Sequence, residues 1–546
     1  MMDKSSIRTR AAHTSRSINA ERRVPVTRFW HLLWRGNPPG NGLAAAGLLI
    51  GLMMTGPILY VIWRSVQAGQ SNWLRLLDGR IPALMANTLL ITFTTMLTSI
   101  ILGVSLAWLV YRCDVPGRKV WRWLLVLPLM LPSYVGAVAY IMVLGPVGWM
   151  RQTFGFDPVD IYSFGGVLLV MTLFKFPYVF LAAGAAIQRM NQSYEDTARS
   201  LGMSSWQIFW KVSFPFLRPA IGAGAILTAL CVLSEFGVVA ILRYNTFTSA
   251  IYYQMESLNR DGAAVLSMLL ILLTLGFLWI EARGRRKQRY HQTGGTFRPV
   301  QTLALKKWKV AALGWVLLVL SLSVLLPIGI LLYWSWQGIQ MGALSGRFWG
   351  YTRNSIQVAG LAAILSMILA LPVVYLKSRH PSFLSGLINK LSSTGYALPG
   401  VIVALGLIYL FNSYIPWLYN TFFMISFAYL IRFLPQSVQY SGASLNQISP
   451  RVDEAGRSLG LSPARVMARI IVPLISPGLL AGGALVFVSS IKELPATLLL
   501  RPPGYDTLAV RVWVESSEAV YHMAAPAALL ITFVSIIPLR LIMKKR

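Results

Sequence analysis

Acidic residues are scarce: 18 Asp and Glu stand against 49 Lys and Arg in 546 residues, a formal net charge of +31. Charge of either sign is thin, at 12% of the chain against 55% hydrophobic. That is too little to coat the several soluble domains such a length would otherwise suggest. Cysteine is down to two, Cys113 and Cys231. One is expected in a cytoplasmic loop and the other within a membrane helix, so neither a disulfide nor a metal-ligand spacing is expected. The five histidines, at 13, 31, 291, 380 and 522, are scattered, and no HExxH occurs. No Gly-Lys dipeptide exists, which excludes a GxxxxGK[ST] phosphate loop, so the chain cannot itself be an ATPase. No hydrolytic constellation is found, and the chain reads as a non-enzyme.

What is present is apolar sequence. Mean hydropathy is +0.60, and runs of about 18 residues or more, enough to cross a bilayer as helices, recur throughout. Short alternating strands of the barrel type are not visible. The reading is an all-α polytopic membrane protein with spans at 43–66, 84–110, 122–145, 164–188, 219–243, 263–282, 310–334, 354–376, 395–412, 417–439, 477–500 and 522–543.

The positive charge sorts with these spans. Arg112, Arg118, Lys119 and Arg122, then Arg283, Arg285, Arg286, Lys287 and Arg289, then Lys544, Lys545 and Arg546 fall on one side, whereas 145–163 carries only Arg151. Lys and Arg stay cytoplasmic, so both termini are expected there. This distribution explains the charge without nucleic acid. Residues 1–42 hold seven arginines and no apolar run ending in a cleavage site, so a basic cytoplasmic tail is expected. It either touches anionic lipid or is simply solvated.

The chain repeats itself. Residues 194–243 align with 452–501 at a constant offset of 258, with 13 identities in 50 positions. Upstream, Asn87 matches Asn354 and Pro132 matches Pro399, at offset 267. Six spans per copy give both copies one orientation, a parallel repeat. The expected layout is therefore tail 1–42, first domain 43–282, basic linker 283–309 and second domain 310–546.

Each repeat holds a polar hairpin: "YEDTARSLGMSSWQIFWKVSFPFLRP" from Tyr194 and "VDEAGRSLGLSPARVMARIIVPLISP" from Val452. Ser193 and Ser449 are expected to cap the first helices, with Pro450 at the first helical position. Asp196, and Asp453 with Glu454, fall in the first turns, where the helix dipole favours them. Gly202 and Gly460 are expected to stop those helices by adopting positive φ. Ser204 with Gln207, and Ser462 with Pro463, start the second helices, which Pro215 and Pro473 are expected to end.

These residues resemble the E-A-A-x3-G-x9-I-x-L-P loop of ATP-binding-cassette importer permeases. The second copy reads Glu454, Ala455, Gly456, Gly460, Ile470, Val472, Pro473; the first reads Asp196, Thr197, Ala198, Gly202, Val212, Phe214, Pro215. Asp for Glu, Thr and Gly for Ala, and Val or Phe at apolar places are the departures. The resemblance implies coupling helices that dock on two copies of a separate ATPase subunit, which would use ATP and Mg, with no cofactor bound by this chain. It also implies a periplasmic substrate-binding protein at the outer face and a bacterial inner-membrane location. "KELPATLLLRPPGYDTLAVRVW" from Lys492 and "YALPGVIVALGLIYL" from Tyr396 are similar to fused ferric iron permeases. Fused thiamine and phosphonate permeases share that architecture.

Glu235 and Glu493 sit at matching positions inside apolar sequence, where a carboxylate is costly and usually faces an interior. Two readings stay open. The pair could flank a translocation path and attract a hard cation such as Fe3+, or each could be locally paired and fix helix packing. Arg243 and Arg501, at the outer ends, could meet a substrate-binding protein or steer an anion, but read first as snorkelling side chains. Pro128, Pro132 and Pro399 read as kinks. A major-facilitator-type transporter also has parallel six-helix halves. Its loop signature survives here only as Asp114, Gly117, Arg118 and Lys119, and it lacks such hairpins; a channel does not explain them either.

Overall fold

The computed structural model describes residues 34, 38–146, 148–156, 159–286 and 298–543. Nearly all of the expected basic tail, and the linker core 287–297, lie outside these. Helices make up the described regular structure, with two isolated bridges, Cys113 to Leu303 and Asn191 to Pro299. Among the described residues nine helices are long and apolar enough to cross a membrane. Counting the broken pair Phe383–Tyr396 and Gly400–Tyr414 as one span makes ten.

Several expected spans are not continuous, among them 395–412, which is broken at Pro399 before Gly400–Tyr414. The stretch 122–145 resolves into Arg118–Leu124, a 3₁₀ turn at Leu127–Leu129, and Ser133–Leu144. Pro128 and Pro132 break it outright rather than kink it, because each removes a backbone donor and disfavours helix in the residue before it. Likewise 219–243 stops at Leu233 and restarts at Gly237, and 477–500 stops at Ile491 and restarts at Pro495. Both carboxylates of interest, Glu235 and Glu493, lie in these gaps.

One expectation about proline is reversed. Pro215 and Pro473 do not end the second hairpin helices. A π-turn, Phe209–Ser213 in one copy and Met467–Ile471 in the other, carries each helix on into the next span. The runs Ser205–Leu233 and Pro463–Ile491 are both 29 residues long. A π-turn already departs from the i to i−4 ladder, so a proline just beyond it costs less than in a regular helix.

The chain forms two compact units. The smaller comprises Met1–Thr55, Met367–Ser393 and Leu434–Gly482; the larger comprises Gly56–Ser366, Thr394–Phe433 and Gly483–Arg546. In the larger unit one core joins both repeats: Phe236, Phe247 and Leu266 cluster with Leu398, Leu405, Leu494 and Ala525. The Phe236 ring lies 5.3 Å from that of Trp513.

The repeat extends to packing. A Cβ on Gly224 would come within 2.9 Å of the Val179 backbone, and one on Gly482 within 2.8 Å of the Ser437 backbone. Both pairs are related by 258, so each repeat uses a glycine to bring the same two helices together. Asn87 donates to the Asn245 carbonyl at 3.1 Å and Asn354 to that of Asp506 at 3.0 Å. The next residues, Thr88 and Ser355, accept from the Phe247 and Leu508 amides. These fix the loops that follow the broken spans.

Candidate functional site

Two sets of residues stand out: the paired hairpins and a charged cluster at the broken helices. In the first hairpin, within the larger unit, the helix is Gln192–Ser200 and Asn191 is its cap, accepting from the Ser193 amide at 3.1 Å. The expected Ser193 cap is thus shifted by two residues, because Asn191 already holds the extended cap conformation. Gly202 stops the helix at φ +78°. Its amide and that of Met203 return to the Arg199 and Ala198 carbonyls, a Schellman arrangement. Ser204 and Gln207 form the expected reciprocal box.

The second hairpin, within the smaller unit, matches step by step. Its helix Arg451–Ser458 is capped at Pro450, one position beyond the expected Ser449, whose hydroxyl still accepts from the Arg451 amide. Gly460 stops it at φ +81°, with Gly460 and Leu461 returning to Arg457 and Gly456. Ser462 occupies the next cap position without a side-chain bond, and Pro463 follows it. Gly456 is tight: a Cβ there would meet Ile470 and Val466, so the smallest residue closes the two helices together.

The residues that root the hairpins sit one position before those singled out from the motif. Glu195 is buried and ion-paired with Arg112, at 4% and 1% side-chain exposure, and also accepts from the Ser213 hydroxyl at 2.9 Å. Its counterpart Asp453 accepts from Arg379 at 2.9 Å and from the Tyr375 hydroxyl at 3.1 Å. Arg112 and Arg379 are themselves related by the upstream offset of 267. Glu454, by contrast, is exposed and Asp196 only half-buried, with Asp196 held by Gln192 at 2.8 Å. Thr197 binds back to the Ser193 carbonyl. Leu201 and Leu459, at the two tips, are 75% and 82% exposed, and Trp206 and Trp210 are bare on the first hairpin alone.

The seam reinforces the first root. Leu303 pairs with the Arg112 carbonyl and the Asp114 amide, and the Arg298 carbonyl accepts from the Gln192 amide. Lys309 reaches Asp114 at 2.8 Å, and this hydrogen bond holds the half-buried Asp114 carboxyl below its usual range. Cys113, covered in this corner, has its thiol pushed up to about 11 by burial.

The charged cluster lies wholly within the larger unit. Lys175, on Phe164–Arg189, donates to Glu235 at 2.7 Å and to the Ser133 hydroxyl at 2.8 Å. Arg432, on Phe422–Leu445, is ion-paired with Glu493. Each glutamate also accepts a backbone amide from the restarted helix, Val238 for Glu235 and Ala496 for Glu493. Local pairing, one of the two readings open in the sequence, is the arrangement seen for both carboxylates. Breaking a buried pair of this kind costs roughly 3–5 kcal/mol. The glutamates are therefore engaged by cations, and among the described residues no group of three His, Cys, Asp or Glu could hold a metal.

Tyr134 and Gly237, both of the first repeat, pack tightly against each other. A Cβ on Gly237 would fall 2.6 Å from that of Tyr134, and Tyr134 lies within electrostatic reach of both Glu235 and Glu493. Sequence reasoning missed Lys175, Arg432 and Glu195, and read Asp453 only as a first-turn residue at the helix dipole. The available signal was a charged residue inside apolar sequence, recurring near the repeat offset. Arg243 stacks over Tyr162 at 5.7 Å, whereas Arg501 is ion-paired with Asp506, so these two matching positions are not equivalent.

The family model described as "Binding-protein-dependent transport system inner membrane component" matches twice, at 99–286 and 362–544. The Fe(3+)-transport system permease protein FbpB 2 of Haemophilus influenzae is 36% identical over 504 residues, covering 91% of this chain and 97% of that protein. The ferric transport system permease protein FbpB of Actinobacillus pleuropneumoniae is 24% identical, covering 78% of this chain and 65% of the relative. A probable sulfate transport system permease protein of Chlorella vulgaris is 30% identical but spans only 38% of the chain.

Proposed function

The chain belongs to the binding-protein-dependent transport system inner membrane components, carries that domain twice as a multi-pass inner-membrane protein, and from this we propose that it is the two-domain permease of an ATP-driven ferric iron importer. The observation that carries the reading is the pair of hairpins, matched in their glycine turns and each rooted by a buried arginine–carboxylate pair. A rooted hairpin moves as one piece with the span it continues into, so force applied at its tip reaches the membrane. Two separate ATPase subunits would dock at Asp196–Gly202 and Glu454–Gly460, with Leu201 and Leu459 as apolar contacts. A periplasmic binding protein would deliver cargo at the opposite face. ATP and Mg belong to the ATPase, and this chain binds no cofactor of its own.

Phe422–Leu445 and Tyr521–Met543 are further apolar helices. Added to the ten candidate spans, they make the twelve crossings that put both termini in the cytoplasm. Glu235 and Glu493 line the path between the repeats, holding Lys175 and Arg432 in place. Ferric iron as cargo is supported by ferric relatives that cover most of the chain.

Reconstitution tests this reading. Proteoliposomes holding the chain, its ATPase and its binding protein should take up ferric iron only when ATP is supplied. Uptake driven by an ion gradient without any ATPase would sink the importer reading. Thiamine or phosphonate uptake in place of iron would sink the cargo alone.

A further inference from the structure

The charge in the cluster does not balance. Lys175 and Arg432 are matched by Glu235 and Glu493, but Lys492, beside Glu493, has no carboxylate partner among the described residues. Its ammonium donates only to the Leu129 carbonyl, at 3.3 Å, and it feels the charge of Lys175. The first-repeat equivalent, Ser234, is neutral, so the excess cation belongs to the second repeat alone.

Hydrogen-bonding capacity is unbalanced in the same direction. The Arg432 Nε, the Tyr134 hydroxyl and the Ser490 hydroxyl are buried and lack a hydrogen-bond partner among the described residues. Tyr134 is 4% exposed and Ser490 1%. Ser490 belongs to the same turn as Lys492, since its carbonyl accepts from the Glu493 amide. Buried donors are normally satisfied, and three proton-bearing groups with an uncompensated ammonium are what an acceptor-rich, negatively charged ligand satisfies. A bare multivalent cation would meet repulsion here.

We propose that Lys492, Arg432, Tyr134 and Ser490 form an oxyanion-binding station between the repeats, and that cargo crosses as an oxyanion-bearing species rather than a naked cation. The glutamates act as fixed counter-charges that keep Lys175 and Arg432 ionised. The part of this that concerns transport rests on the importer reading; the part that concerns binding does not.

The full chain in lipid nanodiscs, without partners, is titrated with radiolabelled inorganic phosphate and sulfate. Saturable binding of at least one is expected. Lys492→Met should weaken it tenfold or more and Lys492→Arg should restore it. Tyr134→Phe, which removes no hydrogen bond made by the protein, should weaken it about tenfold while leaving thermal stability unchanged. No saturable binding, or an affinity in Lys492→Met and Tyr134→Phe equal to that of the parent, overturns the station.

In the reconstituted importer, ferric iron uptake should rise with added phosphate or sulfate and be lost in Lys492→Met. Label entering only with iron identifies a ferric–oxyanion complex, and label entering without iron identifies a free oxyanion; both support the station. ATP-driven iron uptake indifferent to anion and to Lys492→Met overturns it and leaves the importer intact. Absence of any ATP-driven uptake overturns the importer, while the nanodisc titration still judges the station.

Discussion

Arg112 and Glu195, 83 positions apart, form a buried ion pair that recurs in the other repeat as Arg379 and Asp453. Arg112→Met leaves Glu195 charged and buried, and should destabilise the purified protein by about 3–5 kcal/mol. Denaturant titration in detergent measures this. Arg112→Met with Glu195→Met should recover most of the loss, because no isolated charge remains. Equal stability of the single variant and the parent would remove the pair from its rooting role.

Gly202 and Gly460 need positive φ, not space, since a Cβ at either would meet nothing within 4 Å. Alanine at each should therefore cost about 1 kcal/mol. Proline, fixed near −65°, cannot adopt the turn at all. Gly202→Pro or Gly460→Pro should leave membrane insertion intact yet separate ATP hydrolysis from uptake. Normal coupled transport in both proline variants would refute the coupling role.

At Gly237 space is the constraint. Gly237→Ala should push Tyr134 aside and cost about 1–3 kcal/mol, read as a fall in Tm of the detergent-solubilised protein. Gly276→Ala, where a Cβ meets nothing within 4 Å, is the control expected to change little.

Replacing Glu235 and Glu493 together by Gln strips Lys175 and Arg432 of their counter-charges. Uptake into vesicles should fall at least tenfold with the protein still correctly inserted. Unchanged uptake would take both carboxylates off the path.

The Cys113 thiol, covered where Leu303 lies across the loop, titrates near 11 instead of its ordinary 9.0. Between these values the folded chain keeps a proton that the unfolded chain has lost. Stability should therefore fall as pH rises from 9.0 towards 11, with no contribution from this group at lower pH. Maleimide labelling at pH 8 should be slow, and Leu303→Asp should accelerate it. Rapid labelling of the parent would contradict the covered seam.

The hairpins were legible because their stops depend on one residue type: only glycine takes φ near +80° cheaply, and Gly202 and Gly460 share one offset. The roots were not, since attention fell on Asp196 and Glu454, the motif positions. In a short amphipathic helix, adjacent residues point to different sides, so Glu195 and Asp453 turned inward and their neighbours outward. The broken spans were hidden for another reason. Hydropathy averages over a window, and "SEFG" or "KELP" barely lowers it. Backbone continuity depends instead on a single Pro or Gly beside a carboxylate able to take the freed amides. Pro215 and Pro473 misled because a π-turn is invisible in composition.

The two hairpins have equal backbones but unequal skins. Trp206 and Trp210 stand bare on the first, while alignment puts Ala464 and Ala468 in their places on the second. Two identical motor subunits gripping this chain would hold one handle more tightly than the other. On the proposed docking, fusion of the halves would give two otherwise identical ATPase subunits a leading and a trailing stroke.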